Sequence, residues 1–138
     1  PKYLLLLTAL FTLVLNIPHA SAGDFPDVIR AGDITYTSGG IGDDEKTALD
    51  AVGKQYNLHI LSAYSNGEYI EDVNIVISDN RGNAVLRTDA GPIFYAALPL
   101  GKYVVEGSFN GISYRQVINL KKGKTSNIDF RWKDNEPD

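Results

Sequence analysis

The sequence predicts a mainly β protein: a seven-stranded antiparallel β-sandwich with one N-terminal α-helix. Three observations predict it. From Asn57 onward apolar residues alternate with polar ones at a period of two, as in Val73, Ile75 and Ile77 and again in Ile128, Phe130 and Trp132. Turn-forming residues interrupt these runs at short intervals, among them Asn66-Gly67, Gly82, Gly91-Pro92, Pro99 to Gly101, Asn110-Gly111 and Gly123. Just upstream, Ala48, Leu49, Val52 and Tyr56 recur at helical spacing.

Residues 1–22 read as a signal peptide. Lys2 supplies a basic start, Leu4 to Leu15 an apolar run, and Ala20-Ser21-Ala22 a small-x-small cleavage pattern. The run is shorter than the roughly 20 residues a membrane span requires, so no integral span is expected after cleavage. Residues 23–42 contain Pro26 and several glycines and read as an exposed leader, with Ile34 to Thr37 as a short strand candidate. Residues 43–56 are expected to form a helix that docks on the sandwich. Asp43, Asp44 and Glu45 suit the positive end of its dipole, one of the aspartates can cap it, and Asp50 with Lys54 is an i,i+4 pair. Gly53 weakens an isolated helix by about 1 kcal/mol, hence the expected docking.

The sandwich itself is expected over residues 57–132, with strands Asn57–Tyr64, Tyr69–Ser78, Ala84–Thr88, Ile93–Leu98, Lys102–Phe109, Ile112–Leu120 and Thr125–Trp132. Pro99 pre-sets φ and Gly101 accepts a positive φ, so Ala97 to Glu106 reads as a hairpin. Ala84–Thr88 is short and bounded by turns, which suits an edge. Ile112–Leu120 is long and would present Tyr114 and Gln116 on one face, Arg115 and Asn119 on the other. Residues 133–138 read as a disordered tail.

Asp72-Val73-Asn74-Ile75-Val76-Ile77, the turn at Gly82, and Leu98-Pro99-Leu100-Gly101-Lys102-Tyr103-Val104-Val105 together resemble the carboxypeptidase regulatory-like domain, a transthyretin-like (prealbumin-like) seven-stranded sandwich. The Ser38 to Gly42 turn, the helix and Tyr56-Asn57-Leu58 are also similar to a group of secreted bacterial proteins that carry this domain. The resemblance implies a periplasmic or secreted bacterial protein. Domains of this kind serve as accessory, adhesive and ligand-binding modules.

Composition removes several classes of function. The chain carries a net charge of −4 without a Lys/Arg cluster, which argues against nucleic acid as a partner. It has no Cys, hence no disulfide, thiol nucleophile or thiolate metal site. Once residues 1–22 are removed, His59 is the only histidine, and neither a His/Cys zinc shell nor a Gly-x-Ser-x-Gly nucleophile turn exists. Gly39, Gly40 and Gly42 precede a helix, but no Gly-Lys-Ser/Thr follows them. Arg81 stands among Asp79, Asn80 and Asn83, and their spacing does not match a calcium loop. No cofactor and no metal are expected.

What remains is a binding surface. Tyr69, Tyr114 and Trp132 are candidates for an exposed aromatic platform, and Arg115 adds a charge beside Tyr114. The expected function is a non-catalytic binding or accessory module in contact with an envelope or extracellular protein. Two alternatives stand beside it: a carbohydrate-binding module that holds glycan on its aromatics, and a small hydrolase of the transthyretin-like type built around His59. Against the hydrolase, that enzyme ends in a Tyr-Arg-Gly-Ser tetrapeptide, whereas Tyr114-Arg115-Gln116 lies within this chain.

Overall fold

The computed structural model describes residues 25–134 of the chain; the expected signal peptide and the last four residues of the expected tail lie outside them. The described residues form nine strands and one α-helix. In chain order these are β1 (Ile29–Ala31), β2 (Ile34–Gly39), α1 (Asp43–Val52), β3 (Leu58–Tyr64), β4 (Val73–Asp79), β5 (Ala84–Ala90), β6 (Ile93–Ala97), β7 (Gly101–Phe109), β8 (Ile112–Leu120) and β9 (Ser126–Trp132). No helix among the described residues is long and apolar enough to cross a membrane.

Nine strands replace the expected seven. The two additional ones, β1 and β2, lie in the stretch read as an exposed leader; β2 contains the short strand candidate Ile34 to Thr37, while β1 was not expected. They pair antiparallel around Gly32, whose φ of 58° suits a tight turn, and β2 continues the sheet by pairing Thr35 with Ala97 through to Gly39 with Ile93. Thr35, Tyr36 and Thr37 favour extended backbone, but their polarity hides the segment from a hydrophobic pattern. Thr37 is nonetheless fully buried.

Two sheets result, one ordered β1-β2-β6-β3-β9 and the other β5-β4-β7-β8. The pairing is not wholly antiparallel, as had been expected: β9 runs parallel to β3, from Leu58 beside Ser126 to Tyr64 beside Trp132. A parallel neighbour requires a long crossover, and here all of the second sheet lies between the two strands in sequence.

The stretch Ala97 to Glu106 is likewise not a hairpin. β6 belongs to the first sheet and β7 to the second, so Leu98-Pro99-Leu100 carries the chain across the core. Leu98 is buried on the way, Gly101 opens β7 at a φ of 145°, and the Tyr103 hydroxyl donates to the Pro99 carbonyl at 2.7 Å, which clamps the crossing. Asn57 clamps it from the other side, donating to the Leu98 carbonyl and accepting from the Leu98 N–H. The Ser65–Gly67 turn closes a short hairpin, with Tyr69 bridging Ala63, before the chain crosses to β4 at Val73. Besides β1 with β2, sheet hairpins join β4 to β5 and β7 to β8. In the last, Asn110 and Gly111 both take positive φ, the geometry that matches strand twist.

The core lies between the sheets and draws on both, with Ile60, Phe94, Phe130 and Trp132 from one and Ile75, Ile77, Val105 and Leu120 from the other. A second, smaller cluster of Leu49, Tyr56, Ile93 and Tyr95 packs α1 onto the outer face of the first sheet. The helix stops at Val52, and a single 3-10 turn (Gly53–Gln55) replaces the expected continuation to Tyr56. Gly53 lies close against the sheet at this boundary: a Cβ there would stand 3.3 Å from the His59 ring and 3.5 Å from that of Tyr95. No aspartate caps the helix. Gly42 is its N-cap, and the Glu45 carboxylate accepts instead from the Gly40 N–H.

Candidate functional site

The four expected binding residues do not form one patch. Trp132, on β9, is only 1% exposed; its indole N–H donates to the Ile112 carbonyl at 3.0 Å and its ring meets those of Phe109, Tyr114 and Phe130. It is a core residue, because the inward alternation of Ile128, Phe130 and Trp132 carries to the end of the strand. Tyr69 sits at the bridge with Ala63, its ring under the Lys46 ammonium at 4.7 Å. That places it against the helix and away from β8.

Tyr114 and Arg115 lie on β8, on opposite faces. The Tyr114 ring stacks on Phe130 and meets Trp132 edge-on at 5.2 Å, yet 38% of the residue remains exposed. Across the ladder from Tyr114 is Gly107, where a Cβ would come within 2.8 Å of Phe130. The bare backbone of Gly107 therefore makes the space in which Phe130 and Trp132 pack under Tyr114. Arg115 faces outward opposite Glu106, 4.0 Å away; both are exposed, so the pair adds little to stability.

Around these two residues the structure gathers others that the sequence reading did not single out. β8 is the outermost strand of its sheet and pairs with β7 along its whole length, in unbroken register from Gly101 with Leu120 to Phe109 with Ile112. Its inward side chains Ile118 and Leu120 are buried, but Ile112 and Tyr114, in the same alternation, are not. Ile112 is 51% exposed and Val117, on the outer face, 69%.

The other edges are blunted by familiar devices. β1 has three residues, β5 carries Arg87 and Asp89 and a register shift opposite Ile77 and Ser78, and β9 carries Asp129 and Arg131 in a two-bond ion pair at 2.6 and 3.1 Å. β8 has no proline, no bulge and one charge. A one-sequence signal for it existed, in the length of the alternating run and the scarcity of charge within it.

His59 occupies a different surface, the outer face of the first sheet. It lines a groove of about 320 Å³ with Leu61, Ile93, Tyr95, Asn127 and Asp129. Its Nε2 donates to the Gly53 carbonyl at 2.7 Å and its ring lies 4.2 Å from that of Tyr95. Asp129 directs both carboxylate oxygens to Arg131. Burial pushes the Tyr95 hydroxyl above its ordinary pKa, with Asp50 and Tyr69 adding to the effect. The imidazole thus anchors the helix end and the nearby acid anchors an arginine. Among the described residues, no three His, Asp or Glu side chains converge as a metal site.

Comparison of the chain with family models, with curated proteins and with solved structures gives no match.

Proposed function

We propose that this chain is a non-catalytic binding or accessory module, exported to the periplasm or the exterior of a bacterial cell, that contacts a protein partner along strand β8. One observation carries the reading: a nine-residue edge strand in unbroken register, bearing exposed Ile112, Tyr114 and Val117 and none of the usual edge protections. A free edge of this kind supplies main-chain donors and acceptors to an added strand, and its alternate side chains supply selectivity. The transthyretin-like class is part of this reading and rests on the sequence resemblance of Asp72 to Ile77 and Leu98 to Val105. Export rests on the pattern of residues 1–22, and mass spectrometry of the exported protein is expected to find Gly23 at its N-terminus.

The test is crosslinking of the tagged protein in envelope extract, compared with two variants of β8 and one of the opposite edge. Val117→Lys and the double change Tyr114→Ala with Arg115→Glu are expected to lose the partners captured by the parent, while Arg87→Glu on the opposite edge retains them. Equal capture by all variants, or turnover of an envelope substrate by the parent, overturns the proposal.

A further inference from the structure

The two ends of the sandwich differ in charge and in relief. β3 and β9 run side by side from Leu58 and Ser126 to Tyr64 and Trp132, which sets their flanking loops about 20 Å apart at a rise of about 3.3 Å per residue. At the first end Lys54, Lys121 and Lys124 surround a hollow of about 330 Å³ that no carboxylate lines. Leu100, on the β6–β7 crossing, also lines it and is 58% exposed. Lys122 belongs to the same turn.

At the other end a cleft of about 410 Å³ has Tyr64, Phe109, Ile112 and Trp132 as its walls and Glu68 and Asp134 among its polar lining, against one base, Lys133. Glu71 and Asp72 precede β4 at this same end. Among the described residues, none of these lysines and carboxylates takes part in an ion pair. An exposed leucine ringed by lysines thus stands opposite an aromatic cleft rimmed by acids.

We propose that the occupant of the cleft is a second copy of this chain. The Leu100 turn of one molecule enters the aromatic cleft of the next, and Lys54, Lys121 and Lys124 meet Glu68 and Asp134. Because plug and socket lie at opposite ends of one molecule, the contact is heterologous and repeats head to tail, into a ring where the rotation between copies closes and a filament where it does not. Copies of net charge −4 repel one another at a distance, but at about 0.15 M ionic strength screening acts over about 8 Å, so pairs in contact outweigh it. The cleft shares Ile112 with the start of β8 but not Tyr114 or Val117, and neither proposal depends on the other.

Sedimentation velocity of the purified protein tests it at that ionic strength over a concentration series. The mean mass is expected to rise with concentration. Neutralising the basic end (Lys54→Gln, Lys121→Gln, Lys124→Gln) or the acidic end (Glu68→Gln, Asp134→Asn) is expected to weaken association about tenfold. Each of these variants keeps the end that the other lacks, so a mixture forms one-to-one pairs that grow no further. Leu100→Ser, at an exposed position, weakens association with all charges retained and serves if a charge variant melts early. A protein that stays monomeric at every concentration overturns the proposal, as does a dimer that all three variants leave intact.

Discussion

The Nε2–H of His59 donates to the carbonyl oxygen of Gly53, 2.7 Å away, where α1 gives way to its final 3-10 turn. The same carbonyl accepts the Tyr56 N–H at 3.1 Å, so the imidazole takes its second lone pair and pins the helix end to β3. His59→Ala is expected to destabilise the fold by about 0.5–1.5 kcal/mol through the lost bond, since the Gly53 carbonyl keeps its Tyr56 partner. A thermal melt equal to the parent's would show that the ring does not hold the helix.

Leu49 is fully buried between α1 and the outer face of the first sheet, beside Ile93 and Tyr95. A charge there has no partner, so Leu49→Asp is expected to cost about 2–4 kcal/mol in chemical denaturation. Val52→Asp, at a half-buried position of the same cluster, is expected to cost less. Equal and negligible effects would mean that the helix is not docked.

Gly107 is the second packing test. A methyl group there would lie 2.8 Å from one ring carbon of Phe130 and 3.3 Å from the Trp132 ring. Gly107→Ala is expected to destabilise by about 1–3 kcal/mol, and Phe130→Leu in the same chain to recover part of that loss. Strictly additive costs in the double variant would refute the steric explanation.

Alkaline pH should weaken the fold through buried phenols. Burial raises the pKa of Tyr56, Tyr95 and Tyr103 above 10.0, with Asp50 and Tyr69 adding at Tyr95 and Asp79 at Tyr103. Above about pH 10 the unfolded chain releases these protons while the folded chain retains them, so stability falls as pH rises; below that value these groups contribute no pH dependence. Melting temperatures measured upward from pH 10 are expected to fall less steeply in Tyr95→Phe and Tyr103→Phe. An unchanged slope in both would assign the loss to other groups.

Much of the strand content was legible because one inward face imposes a period of two. Val73, Ile75 and Ile77 are all fully buried, as their alternation requires. Ala84–Thr88 does lie at an edge, and Ile112–Leu120 forms the other edge of the same sheet, which its two-faced pattern did not announce. Sheet membership was not legible, since a residue facing the core from either sheet leaves the same pattern. A crossing such as Leu98 to Leu100 therefore looks like a hairpin. Ile34 to Thr37 was legible as a short strand but not as a member of the sheet: Thr37 faces the helix, not the core, and a buried threonine carries no apolar signal. At the candidate site, the exposure of Ile112 depends on where the opposite sheet ends, which local sequence does not encode, whereas Val117 lies outward by the same alternation that buries Ile118 and Leu120. Trp132 erred in the other direction, an aromatic assigned to the surface that alternation had already placed inside.

The parallel partnership of β3 with β9 orders the assembly of the molecule in time. β3 is among the earlier strands to be synthesised, yet the neighbour that covers its free side is the last, and all of the second sheet is made in between. A growing chain therefore holds Leu58 and Ile60 beside an open ladder until Ser126–Trp132 has emerged. Contacts this distant in sequence belong to chains that fold in roughly milliseconds to seconds, and they leave a nascent intermediate with an unpaired strand available to chaperones and to aggregation.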